Sequence, residues 1–156
     1  MKVIGIDPGL SKTGIGVISK NGSFNIGRWE IVSPKKNLDL PEKIHFLFHS
    51  MLDIIDREKP EAIAIEKLFF GQNTKTLIHL GELRGVFLLA SVEKKIPVYE
   101  YTPREVKMAI TGSGASSKDQ VEYMVKQILN INEKIPSDAS DAIAIGLCYL
   151  LREKND

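Results

Sequence analysis

The 156-residue chain has little of several things that would have announced a function. It carries one cysteine, Cys148, which excludes an internal disulfide and a cysteine-built zinc site. That cysteine sits in the apolar run "AIAIGLCYLL", the setting of a small buried thiol rather than a nucleophile. No apolar stretch reaches the length of a membrane span, and the amino terminus lacks a signal-peptide pattern, so the cytoplasm is the expected location. Net charge is only +1, too little for composition alone to point to nucleic acid, although local patches count for more than the sum. There is no repeat, low-complexity tract or linker. Residues 1–156 read as one domain, with a normal globular balance of 43% hydrophobic and 26% charged residues.

Periodicity supplies the elements. "KVIGID" and "TGIGVISK" read as strands, and Asn21-Gly22 turns the chain tightly into a third, "SFNIGRWEIVS". "LPEKIHFLFHSMLDIIDREK" has helical spacing, with Ile44, Leu47, Phe48, Met51, Leu52 and Ile55 on one face, and Pro60 ends it. "EAIAIE" is a short apolar strand of the kind buried in parallel sheets. A long helix over "TKTLIHLGELRGVFLLASVEKK", a strand "IPVYEY" and helices over "TPREVKMAI", "KDQVEYMVKQILN" and "SDASDAIAIGLCYLLRE" complete the order βββ-α-β-α-β-α-α-α. Three antiparallel strands followed by β-α units predict a mixed sheet with helices on both faces.

Two buried-looking strands end in an acid, Asp7 after "VIGI" and Glu66 after "AIAI", each followed by an unusual loop, "PGLSKTG" and "KLFFGQNTK". As parallel neighbours they emerge at the same carboxyl edge, where open α/β sheets place ligands. Asp138 and Asp141 are three apart, hence on one helix face. Asp141 abuts the apolar run Ala142–Ile145 with no cation before it in the helix, so a bound metal is a suitable partner. Carboxylates gathered at one site repel one another unless divalent cations intervene. An all-oxygen set suits Mg²⁺ or Mn²⁺, and two such ions form the clamp used for in-line phosphoryl transfer. His45, His49 and His79 lie in helical segments, and the first two read as half-buried helix residues rather than ligands. The residues point to a metal-dependent phosphodiester hydrolase built without histidine.

The blocks "GIDPGLSKTGIGVI", "AIEKLFFGQNTKT", "LGELRGV", "VYEYTPREVKMAITGSGASSKDQV" and "DASDAIAIGL", in this order over nearly the whole chain, resemble the RuvC family of Holliday junction resolvases. The resemblance implies an RNase H-like fold with a five-stranded mixed sheet flanked by helices. It implies a homodimeric, Mg²⁺-dependent endonuclease with two ions per site (Mn²⁺ as substitute) that nicks four-way junction DNA symmetrically, leaving 5′-phosphate and 3′-hydroxyl ends. Asp7, Glu66, Asp138 and Asp141 match the family's catalytic acids, Lys107 and Lys118 its basic residues at the scissile region, and Phe69 its aromatic against junction bases. RuvA and RuvB are the implied partners. From the residues alone, Phe70 could stack on unpaired bases, Lys118 follows a loop suited to a phosphate, and Lys75, Arg84 and Arg104 are candidate phosphate contacts. Gly81 and Gly85, four apart in a helix, suggest close helix packing, and the family implies a dimer interface there. Three other readings were open: an RNA-processing YqgF-like nuclease of the same fold, which lacks support from "AIEKLFFGQN" and "DASDA"; an actin-like ATPase, for which 156 residues are too few; and a non-catalytic junction-binding module, which would not need all four acids.

Overall fold

The computed structural model describes residues 1–68 and 73–153. Ten elements follow in the expected order: β1 (Lys2–Asp7), β2 (Thr13–Asn21), β3 (Ser23–Val32), α1 (Leu40–Glu58), β4 (Ala62–Glu66), α2 (Thr74–Glu93), β5 (Val98–Tyr101), α3 (Pro103–Thr111), α4 (Lys118–Leu129) and α5 (Ser137–Arg152). They build one five-stranded mixed sheet of order β3-β2-β1-β4-β5. β1–β2 and β2–β3 are antiparallel, whereas β1–β4 and β4–β5 are parallel. Gly22, at φ +78°, makes the β2–β3 turn in a region that only glycine enters freely.

The two-residue alternation of the strands divides the core. Ile4, Ile6, Ile15, Val17, Ile63 and Ile65 pack on the side of α1 and α2. The opposite side of the same strands is lined by small residues, Gly5, Gly16, Ala62 and Ala64, and there α5 lies against the sheet. A Cβ on Gly5 would stand 2.0 Å from the Ala142 carbonyl oxygen, and one on Gly16 2.8 Å from the Ile143 Cα. Large residues there would hold α5 off the sheet. These small residues let the helix sink in, Ile18 is received at Gly146 of the helix instead, and α5 is buried on almost every side from Ala139 to Leu150.

On α1 the core-facing residues are Leu47, Met51, Ile54 and Ile55. Ile54 was not on the expected face, and Ile44 instead lines an outer groove against Val86 and Leu89 of α2. The helix starts one turn earlier than its apolar stripe, behind an Asp39–Glu42 capping box, so its first apolar residue overhangs the core. α2 buries Leu83, Phe87 and Ala90 yet leaves Ile78, Leu89 and Val92 exposed on its other face. Among the described residues no helix is long and apolar enough to cross a membrane.

Candidate active site

Strand parity decides where the acids go. In β1 residues 3 and 5 face α5, so Asp7 does too; in β4 residues 62 and 64 face α5, so Glu66 follows. The β1–β4 ladder runs to Ile6↔Ile65, one residue short of both acids. α5 begins above this edge, and its first turns carry Asp138 and Asp141. Gly14, opposite Asp7 in the β1–β2 ladder, lets the helix start come down: a Cβ there would stand 1.9 Å from the Asp138 carbonyl oxygen.

The electrostatics report one cluster. Burial, then the charges of Glu66, Asp141 and Asp138, push the Asp7 carboxyl up to about 7, against a smaller opposing pull from Lys118. Burial, and then Asp141, raise Glu66 as well, again opposed by Lys118. These are directions expected of carboxylates crowded at a half-dry edge. Lys118 Nζ donates to Asp141 Oδ2 at 2.7 Å, and this bond, ahead of a smaller desolvation effect, holds its ammonium above the usual lysine range. The partner of Asp141 thus comes from α4 rather than from its own helix. Lys118 is the first residue of α4, set by the Ser117–Gln120 capping box, and Lys107 projects from α3, which the Thr102–Glu105 box starts. Both lysines line one cavity of about 250 Å³ with Glu66 and Asp141.

Among the described residues no three carboxylates already form a closed ligand set about a common point. The donor chemistry nevertheless fits a hard divalent cation: four carboxylates within electrostatic reach, one titrating near 7, and no histidine or thiol among them.

The remaining candidates fall elsewhere. Arg84 is only 12% exposed and is paired with Glu100 of β5, so its guanidinium ties α2 to the sheet instead of facing solvent. Lys75 is exposed at the start of α2, where its amide is capped by Asn73 at 2.9 Å. Arg104 is exposed and lies over Gly114, where a Cβ would stand 2.7 Å from its Cγ. Phe69 and Phe70 lie outside the described residues. His45 and His49 are more exposed than expected, with rings 4.4 Å apart on α1. Two features escaped the sequence reading. One is the Gly14–Asp138 contact. The other is a second cavity beside the acids, lined by Gly9–Lys12, Thr76, His79, Leu80 and Asp138, whose only sequence signal was the unusual loop after Asp7.

Comparison with known proteins agrees with this architecture. The family model for crossover junction endodeoxyribonuclease RuvC matches residues 3–149. The chain is 41% identical over 151 residues to the RuvC of Caldanaerobacter subterraneus, spanning 96% of this chain and 92% of that one. It is 41% identical to the RuvC of Thermotoga petrophila, spanning 99% and 94%. The Thermus thermophilus RuvC structure in complex with its Holliday junction substrate superposes with a TM-score of 0.94 at 33% identity, covering 99% of this chain and 96% of that one. The chain therefore belongs to the RuvC family, the crossover junction endodeoxyribonucleases that resolve Holliday junctions.

Proposed function

We propose that Asp7, Glu66, Asp138 and Asp141 form the cleavage centre and hold two Mg²⁺ ions, with Lys107 and Lys118 meeting the scissile phosphate. The observation that carries this reading is the convergence of the four acids at one sheet edge, where Asp7 is raised to about 7 by burial and by the charges of the other three together. When bound, such ions supply an activated water and stabilise the leaving oxygen. The protein's own part is then definite. Asp7 gives up its proton as the site loads, since a ligand must be the carboxylate. The Lys118 ammonium, its side chain 60% exposed, exchanges Asp141 for a phosphate oxygen and leaves that carboxylate free to ligate. Lys107, in the same cavity, offers a second positive charge to the phosphate.

The substrate is four-way junction DNA, as in the Thermus complex, and the products are paired ligatable nicks with 5′-phosphate and 3′-hydroxyl ends. A homodimer suits two equivalent strands. Its support is α2, where Ile78, Leu89 and Val92 stay exposed along a face on which, among the described residues, nothing lies within 4 Å of a Cβ built on Gly85. RuvA and RuvB are the partners that the family implies, Phe69 is the aromatic that the family implies against junction bases, and Phe70 is a further stacking candidate from the sequence alone.

The test is cleavage of a synthetic mobile four-way junction in Mg²⁺, with linear duplex, EDTA and Asp7→Asn controls. Paired nicks in the junction alone, lost with EDTA and with the variant, are expected. An Asp7→Asn protein cutting at the parental rate removes Asp7 from the mechanism.

A further inference from the structure

Among the described residues two concavities flank the acids. The first holds Glu66 and Asp141 with Lys107 and Lys118. The second, of about 470 Å³, opens on the other flank, sharing Asp138 with the cluster and facing the α2 start and the loop after β1. Lys12, Ser11 and Thr76, all exposed, stand on its wall, and His79 completes it with Nδ1 held by Glu82 at 3.0 Å.

The loop that carries Ser11 and Lys12 is built to a fixed shape. The buried Thr13 hydroxyl donates to the Gly9 carbonyl at 2.8 Å and accepts from the Gly9 amide at 3.3 Å. Gly9 itself comes so close to Lys12 that a Cβ would stand 2.3 Å from the Lys12 carbonyl oxygen. The loop starts at Asp7 and closes at Thr13, so the Lys12 backbone is held at a set separation from the first acid. Lys12 has no carboxylate partner among the described residues, unlike Lys118.

A nucleic-acid strand that presents one phosphate to four acids must continue past them on both sides, and the acids repel every phosphate it carries. Cations on one flank only would let the strand swing away on the other. We infer that the second cavity seats a phosphodiester neighbouring the scissile one, bound by the Lys12 ammonium with the Ser11 and Thr76 hydroxyls as further donors. This rests on the acids being the cleavage centre. Lys12 therefore fixes the strand on the side that Lys107 and Lys118 do not reach.

Binding without cleavage tests it. Junctions carrying single methylphosphonates, stepped along the continuous strand on either side of the cleavage point, are titrated in EDTA against the parental protein, Lys12→Ala and Lys12→Arg. At one position the neutral linkage should weaken parental binding about five- to tenfold, as for the loss of one charge-assisted contact, and leave Lys12→Ala unaffected. Lys12→Ala should also lower the slope of log affinity against log salt by about 0.9, with Lys12→Arg restoring it. Equal losses in both proteins at every position, or an unchanged slope, would overturn the inference. Because no step requires cleavage, this outcome is read separately from the Asp7→Asn assay that tests the centre itself.

Discussion

The carbonyl oxygen of Asp138 occupies the space that a side chain on Gly14 would need, 1.9 Å from a built Cβ. Gly14 is also the ladder partner of Asp7. One residue without a side chain therefore sets the separation between a strand-borne acid and a helix-borne pair. Gly14→Ala must push the α5 start outward or bend β2. Overpacking of this kind costs about 1–3 kcal/mol. Cleavage should fall further than that loss explains, and the Mg²⁺ concentration for half-maximal cleavage should rise. Gly16→Ala, which meets the middle of α5 at Ile143, should cost stability with a smaller change in metal requirement. Thermal unfolding and Mg²⁺ titration of both variants check this, and equal metal curves would sink it.

Arg84 illustrates a residue whose chemistry misleads in isolation. Its guanidinium is paired with Glu100, and Nε is buried with no partner among the described residues. Arg84→Ala leaves Glu100 alone at the sheet edge and should cost about 1–3 kcal/mol. The salt dependence of junction binding should stay parental, whereas a genuine phosphate contact would lower that slope by about one. Denaturant unfolding and binding at several salt concentrations separate the two roles.

Lys118 lowers both Asp7 and Glu66 in the folded protein. Its replacement by glutamine removes that attraction, so both carboxyls should titrate higher than in the parental protein. Carboxyl-carbon NMR titration in EDTA reads this directly, and unmoved Asp7 and Glu66 resonances would place Lys118 outside the cluster's field. Cleavage should fall as well.

Much of this was legible in the chain because strands count in twos. The alternation in "VIGID" and "AIAIE" puts both acids on one face at one edge, and helical spacing pairs Asp138 with Asp141. Periodicity cannot report which element supplies a partner from afar. Lys118 is 23 residues from Asp141, so the aspartate read as lacking a cation. The same limit hid the small-residue face of the sheet, since Gly5, Gly16, Ala62 and Ala64 matter only once α5 is laid across them. Ile44 lines the outer groove because α1 begins beyond the edge of the core, whereas Ile54 lies two turns on from Leu47 on the same helix face and is buried with it.

The exposed face of α2 predicts association. Val92 is 71% exposed and Leu89 53%, on a helix whose other face is buried core. Val92→Glu should leave the monomer fold intact, because the side chain meets solvent there, and shift the protein to a monomer in light scattering. Paired nicking should give way to single nicks. A variant that remains dimeric would move the interface elsewhere.

The last prediction concerns what the acid cluster does to the fold. Asp7 titrates at about 7 in the folded protein against an ordinary 3.8. Between those values the folded state keeps a proton that the unfolded state has lost, so stability falls as pH rises from about 4 to about 7 and then levels. Above pH 7 the folded protein carries a crowded carboxylate, and Asp7→Asn removes it. In EDTA at pH 8 the variant should be more stable on the order of 1–3 kcal/mol, the full shift being discounted for the solvent that reaches a half-buried site. At about pH 3 the two proteins should unfold together, since Asp7 is then largely protonated in both states. Mg²⁺ should stabilise the parental protein at pH 8, progressively less as the proton competes below pH 7, and the variant little at either. Thermal unfolding across pH with and without Mg²⁺ decides it. A variant less stable than its parent at pH 8 would mean that Asp7 supports the fold, whereas a more stable one shows a site whose repulsion is maintained for the ions it binds.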